Sequence, residues 1–80
     1  MQSAEEYFYS AYRKAGLKDD YGAIADYTKA IDNNPNDADS YHNRGVPKYF
    51  LNDNKVACQD GRKAQQLECD ASQLINDACN

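Results

Sequence analysis

A period of 34 residues runs through this chain, and it constrains the fold more than any other feature. Displaced by 34 positions, Ala4 meets Ala38, Tyr7 meets Tyr41, Lys14 meets Lys48, Leu17 meets Leu51 and Asp19 meets Asp53. Ala23, Asp26, Lys29 and Ala30 likewise meet Ala57, Asp60, Lys63 and Ala64, which makes nine identities in the 34 pairs from 4/38 to 37/71. A unit of this length cannot bury its apolar face alone, so its copies must stack on one another to share a core.

Each copy reads as two helices. In residues 21–35, Ala23, Ile24, Tyr27, Ala30 and Ile31 recur at i, i+1, i+4, i+7 and i+8, one face of an amphipathic helix. Asp26, Lys29 and Asp32 are expected on its solvent face. Pro35 stops it, because proline cannot continue a helix and the residue before it avoids the helical region. Ala23 and Ala30, with Tyr27 between them, mark a surface that another helix approaches closely. Upstream, Ser3 followed three residues later by Glu6 predicts a capping box opening a helix that runs to about Leu17. A polar turn at 18–20 joins the two helices, and turn formers fill 33–37. Beyond the second copy, Leu74, Ile75 and Ala78 share one helical face, which predicts a helix covering the last apolar surface.

A 34-residue period of helix pairs resembles the tetratricopeptide repeat (TPR) family, over residues 4–71. Tyr7 and Tyr41 match its early aromatic, and Ala11 and Gly45 its small residue four positions on. Ala23, Ala30, Ala57 and Ala64 match the second-helix alanines, Tyr27 its aromatic and Pro35 its closing proline. The wording of residues 22–31 and 41–46 is similar to bacterial, especially cyanobacterial, arrays. The resemblance implies an all-α fold: two TPR-like antiparallel helix pairs plus a C-terminal capping helix, a short α-solenoid in a single domain 1–80. Repeat 1 spans 4–37, a degenerate repeat 2 spans 38–71, and the cap spans 72–80.

Three departures stand in repeat 2. Gly61 replaces the aromatic that corresponds to Tyr27 and predicts a vacant knob that a large aromatic would fill. Cys69 replaces the closing proline, so no proline ends the second unit. Pro47 falls inside a predicted helix, where it clashes with the carbonyl four residues back. It reads as a kink, as the first position of a helix restarted there, or as part of one long helix 47–67 that would invite domain swapping.

Composition narrows the function classes. The net charge is −4 and no Lys/Arg run exceeds two residues, which argues against a nucleic-acid partner. No apolar run approaches the roughly 18 residues of a membrane span, and the first residues have no basic region leading into an apolar one. Cys58, Cys69 and Cys79 show no C-x-x-C spacing. Reduced thiols in a cytoplasmic setting are expected, with a Cys69–Cys79 bridge as the alternative. His42 is the only histidine and is expected on a surface; a His42–Cys58 pair is the one nucleophilic arrangement to weigh. Residues 32–39 lack the central Gly and terminal Glu of an EF-hand loop. No catalytic residue, cofactor or metal is expected.

Binding is the stronger class. The resemblance implies a concave groove lined by the first helix of each unit, here Glu5, Phe8, Tyr9 and Tyr12, then Asp39, His42, Asn43, Val46, Tyr49 and Phe50. Tyr9, Tyr12 and Phe50 read equally as filling the seam between neighbouring first helices. Of the Lys and Asn set that grips a C-terminal carboxylate in one TPR subclass only Asn43 is present, with Phe8 and Tyr12 at the first-repeat positions. A protein or peptide partner would therefore be held by stacking and apolar contact, with basic residues to meet Glu5 and Asp39. Self-association, as a dimer or by domain swapping, is the alternative.

Overall fold

Helix boundaries fall where local chemistry stops or starts them. The computed structural model describes residues 3–79. It contains α1 (Ala4–Gly16), α2 (Asp20–Asn33), α3 (Ala38–Phe50), α4 (Asn54–Gln66) and α5 (Ser72–Ala78), with no strand among the described residues. The Ser3 hydroxyl accepts the Glu6 amide at 3.2 Å and the Glu6 carboxylate accepts the Ser3 amide at 3.1 Å, so the capping box forms as predicted. Asp19 caps α2 by accepting the Gly22 amide at 3.0 Å.

Three helices end alike. After α1, α3 and α4 come Leu17, Leu51 and Leu67, then Lys18, Asn52 and Glu68 at φ 65°, 65° and 73°. The next amides reach back to close the ends: Asp19 to the Lys14 carbonyl, Asp53 to Lys48 and Cys69 to Ala64, each at 2.9 Å. This is the Schellman closure, made with a non-glycine residue in the left-handed region. It turns the chain back within a few residues, so consecutive helices pack as pairs. It also ends the second unit firmly at Gln66, without the proline that Cys69 replaces.

Packing runs in chain order, each helix against the next. In addition α1 touches α3 and α3 touches α5, whereas α2 and α4 do not approach each other. The α1–α3–α5 layer is thus the tighter one. Helices packed in consecutive pairs in this way form a small helical repeat-like solenoid.

The two units fill their interiors differently. In the first, Tyr27 is buried with Ala11 and Ala23, its ring edge-on to Phe8 at 5.7 Å. In the second, the Gly61 site is not vacant. Leu74 of α5 enters between α3 and α4, and a Cβ built on Gly61 would lie 3.1 Å from Ile75 Cγ1 and 3.4 Å from Leu74 Cδ2. A Cβ on Gly45 would lie 2.6 Å from Leu74 Cδ2. Both glycines are small because the knob comes from the capping helix instead of from α4. Gly61→Tyr is therefore expected to destabilise by about 1–3 kcal/mol through overpacking and to expel α5. A raised midpoint in chemical denaturation followed by circular dichroism would restore the vacancy.

Pro47 does not interrupt α3, which runs through it to Phe50 and is separated from α4 by the turn at 51–53. Neither a restart at Pro47 nor a long helix through 47–67 is present. The ring is fully buried, and it lines a recess with Tyr12 and Tyr27.

Asp26 departs from its expected solvent position. It is buried against α1, where it accepts the Ser10 hydroxyl at 2.7 Å and the Lys14 ammonium at 2.8 Å. Burial alone would push this carboxyl up, but the Lys14 and Ser10 contacts outweigh it and hold it below the usual range. One period later Asp60 accepts Arg44 through both oxygens, at 2.7 and 2.8 Å, and Lys48 at 3.1 Å. Lys14 and Lys48, and Asp26 and Asp60, recur because they join the first helix of each unit to the second.

The cysteines also differ from expectation. Cys58 and Cys79 form a disulfide across 21 positions, with Cα atoms 4.9 Å apart, and Cys69 is the free thiol. Spacing could not pair them, because the Schellman turn after α4 is what folds α5 back alongside it. The expectation of a cytoplasmic setting loses its support from reduced thiols. No described helix is long and apolar enough to cross a membrane.

Candidate functional site

The inner layer carries a groove of three recesses. The first, about 310 Å³, lies between the starts of α1 and α3 and is lined by Glu5, Phe8, Tyr9 and Asp39, with Asn34 and Asp37 from the α2–α3 loop. The second, about 320 Å³, is lined by Tyr12, Tyr27, Asn43, Val46 and Pro47. The third, about 190 Å³, lies between α3 and α5 and brings together His42, Val46, Tyr49, Phe50, Leu74 and Asp77. Each of the groove residues expected from sequence lies at one of these recesses. Phe8 and Tyr9 gather in the first, Tyr12 and Asn43 in the second, His42 and Tyr49 in the third, and Val46 bridges the last two.

The aromatics hold one another in place. Phe8 stacks on Tyr12 at 6.4 Å, meets Tyr9 edge-on at 5.6 Å and rests on buried Tyr27, while Tyr49 and Phe50 lie 6.0 Å apart. Tyr9, Tyr12 and Phe50 are 57%, 63% and 62% exposed, so they do not fill a seam. The Tyr27 hydroxyl beneath them is pushed up to about 12 by burial, with Tyr12 adding to it, and stays neutral at physiological pH.

Charge is segregated. Glu5, Asp37 and Asp39 line the first recess and Asp77 the third, the second has no charged lining residue, and no Lys or Arg lines any of the three. Lys14, Arg44 and Lys48 are engaged by Asp26 and Asp60 at the seams. Lys29 and Lys63 lie over the rings of Tyr7 and Tyr41. Arg62 and Lys63 line a shallow recess beside Ile75 on another face, which no carboxylate lines.

Sequence reasoning missed the α5 contribution of Gln73, Leu74 and Asp77, and also Asn34 and Asp37. The signal for α5 was present: one more step of 34 carries Asp39 to Gln73 and Asn43 to Asp77. The loop residues had none, since they lie outside the helical period.

The thiol chemistry weighed from sequence has no thiol at Cys58, which is in the disulfide. Cys69 Sγ lies 4.0 Å from His42 Nδ1 and 3.5 Å from Asp39 Oδ1. Burial and the Asp39 carboxylate push the Cys69 thiol up, the opposite of what a nucleophile requires. Among the described residues, no group of three or more His, Cys, Asp or Glu side chains is placed to hold a metal ion.

No protein-family model, curated protein or solved structure matches this chain.

Proposed function

We propose that this chain is a non-catalytic protein-interaction module of the tetratricopeptide type. It takes an extended peptide segment of a partner protein along the α1–α3–α5 groove. The observation that carries this reading is the composition of the three recesses: aromatics in each, carboxylates beside them in the first and third, and no Lys or Arg in any. Tyrosine and phenylalanine provide contact area at low entropic cost. Glu5, Asp37 and Asp39 give the first recess a negative field beside the faces of Phe8 and Tyr9, a setting that favours a lysine or arginine side chain. The segment that fits best therefore alternates basic and apolar residues. A carboxylate-terminated acidic tail has no cation to meet.

Titration of a Lys/Leu-alternating peptide, followed by tyrosine fluorescence, tests this directly. The peptide is expected to bind with an affinity that weakens as salt is raised. Tyr12→Ala and Asp39→Asn are each expected to weaken it about five- to tenfold, corresponding to about 1–1.4 kcal/mol. A Glu/Leu peptide binding as tightly would overturn the reading. So would a concentration-independent dimer in light scattering that leaves the groove closed to either peptide, the result self-association demands.

A further inference from the structure

We propose that the Cys58–Cys79 disulfide is a redox latch on α5, whose reduction releases that helix, removes one wall of the groove and opens the cleft at Gly45 and Gly61. The release itself stands on the structure of the second unit; its effect on peptide binding rests on the groove reading above.

The helix α5 is held by packing, a hydrogen bond and a covalent tie. Leu74 and Ala78 are buried with Ala57 of α4, the Gln65 side chain accepts the Ala71 amide at 2.9 Å, and the disulfide ties the far end to α4. Its seven residues fall far below the roughly 12–15 at which an isolated helix is even marginal in water; Asp70 accepts the Ser72 amide at 3.1 Å, but Ala71 at the cap position has no capping side chain. Its order is thus inseparable from its docking, and the disulfide restricts how far it can depart.

Only in the second unit does such a departure open the core. The corresponding cleft of the first unit is closed from within by Tyr27 against Ala11. At Gly61 and Gly45 the chain itself has no side chain to close it, and Leu74 fills the space. The same Leu74 lines the third recess with Tyr49 and Phe50, so one residue belongs to both the latch and the groove.

Both linked cysteines are only partly buried. Cys69 is a poor internal competitor, because its thiol is held protonated beside Asp39. The reductant is an external dithiol. One of its thiolates attacks a disulfide sulfur, forms a mixed disulfide and expels the other cysteine as a thiolate. Its second thiolate then displaces the remaining cysteine. Two electrons and two protons pass to the protein, leaving Cys58 and Cys79 as thiols and the dithiol as a cyclic disulfide.

Hydrogen exchange on the full chain with and without dithiothreitol provides the test, alongside a Cys58→Ser/Cys79→Ser double variant and a Cys69→Ser control. The Ile75 and Cys79 amides, bonded at 2.9 Å to the Ala71 and Ile75 carbonyls, report on α5. The Ile75 amide is expected to exchange on the order of 100-fold faster after reduction, and so is the double variant's, while α1 and α2 amides keep their rates. The Cys69→Ser protein should behave as the parent in both states. Affinity for the Lys/Leu peptide should fall about tenfold in step with α5 release, about 1.4 kcal/mol. Unchanged α5 protection overturns the latch, as does equal acceleration along the whole chain, which would make the bridge a general staple. Release of α5 with unaltered peptide affinity overturns the coupling. If the oxidised chain binds no peptide while α5 still opens on reduction, the groove reading fails and the latch stands.

Discussion

Asp60→Ala is expected to cost this chain about 3–5 kcal/mol, a large part of the roughly 4–12 kcal/mol that a domain of its length commands. Asp60 is bonded to both Arg44 and Lys48, whose side chains are 16% and 12% exposed. Arg44 is held between the units, since its other arm donates to Thr28 of α2 at 3.3 Å. Removing the carboxylate leaves two cations in a seam that water barely enters, and the loss of compensation outweighs the loss of attraction. The matching change in the first unit has a different consequence. Lys14 is 41% exposed, so after Asp26→Ala it swings into solvent, and the expected cost is about 1 kcal/mol. Denaturant midpoints of the two variants should therefore differ several-fold in their displacement from the parent. Equal displacements would mean that the second seam is as solvated as the first, and the burial argument would fall.

These seams also show what a sequence of this kind conceals. The four residues Lys14, Lys48, Asp26 and Asp60 are legible as recurrences at 34 positions, yet their role is not. A hydropathy pattern assigns every Asp on an amphipathic helix to the solvent face, and Asp26 is inward only because Lys14 and Ser10 on a neighbouring helix receive it. The helices themselves are readable because their determinants are local: Ser3 and Glu6 cap one end, and alanines and Tyr27 recur at helical spacing. Gly61 is the opposite case. Aligned with Tyr27, it reads as a hole, because the register compares it with one other residue. The atoms that occupy its space belong to α5, some 13 residues onward. The groove lies between these extremes. Its aromatics follow from repeat position, whereas the edge made by Asn34 and Asp37 depends on where a loop crosses the mouth of the first recess.

Tyr27→Ala is the second large effect, expected at about 3–5 kcal/mol. The ring is 1% exposed and stands between helices whose facing residues, Ala11 and Ala23, are too small to close over a void. Relaxation around the cavity is limited because those alanines carry the close approach of α1 and α2. Collapse would have to move whole helices. Tyr27→Phe separates the ring from its hydroxyl and should cost no more than about 1 kcal/mol, the net worth of an ordinary hydrogen bond. Leu74→Ala supplies the comparison from the second unit, where the knob arrives on a separate helix. Its cost should reach about 2–5 kcal/mol with the disulfide intact and shrink on reduction, since an unlatched α5 no longer has to be held against the cleft. Tyr27 belongs to the helix whose place it fills, so its cost should be the same in both redox states. A cost at Tyr27 that also depended on reduction would show the two units melting as one, and the difference between an internal and a borrowed knob would disappear.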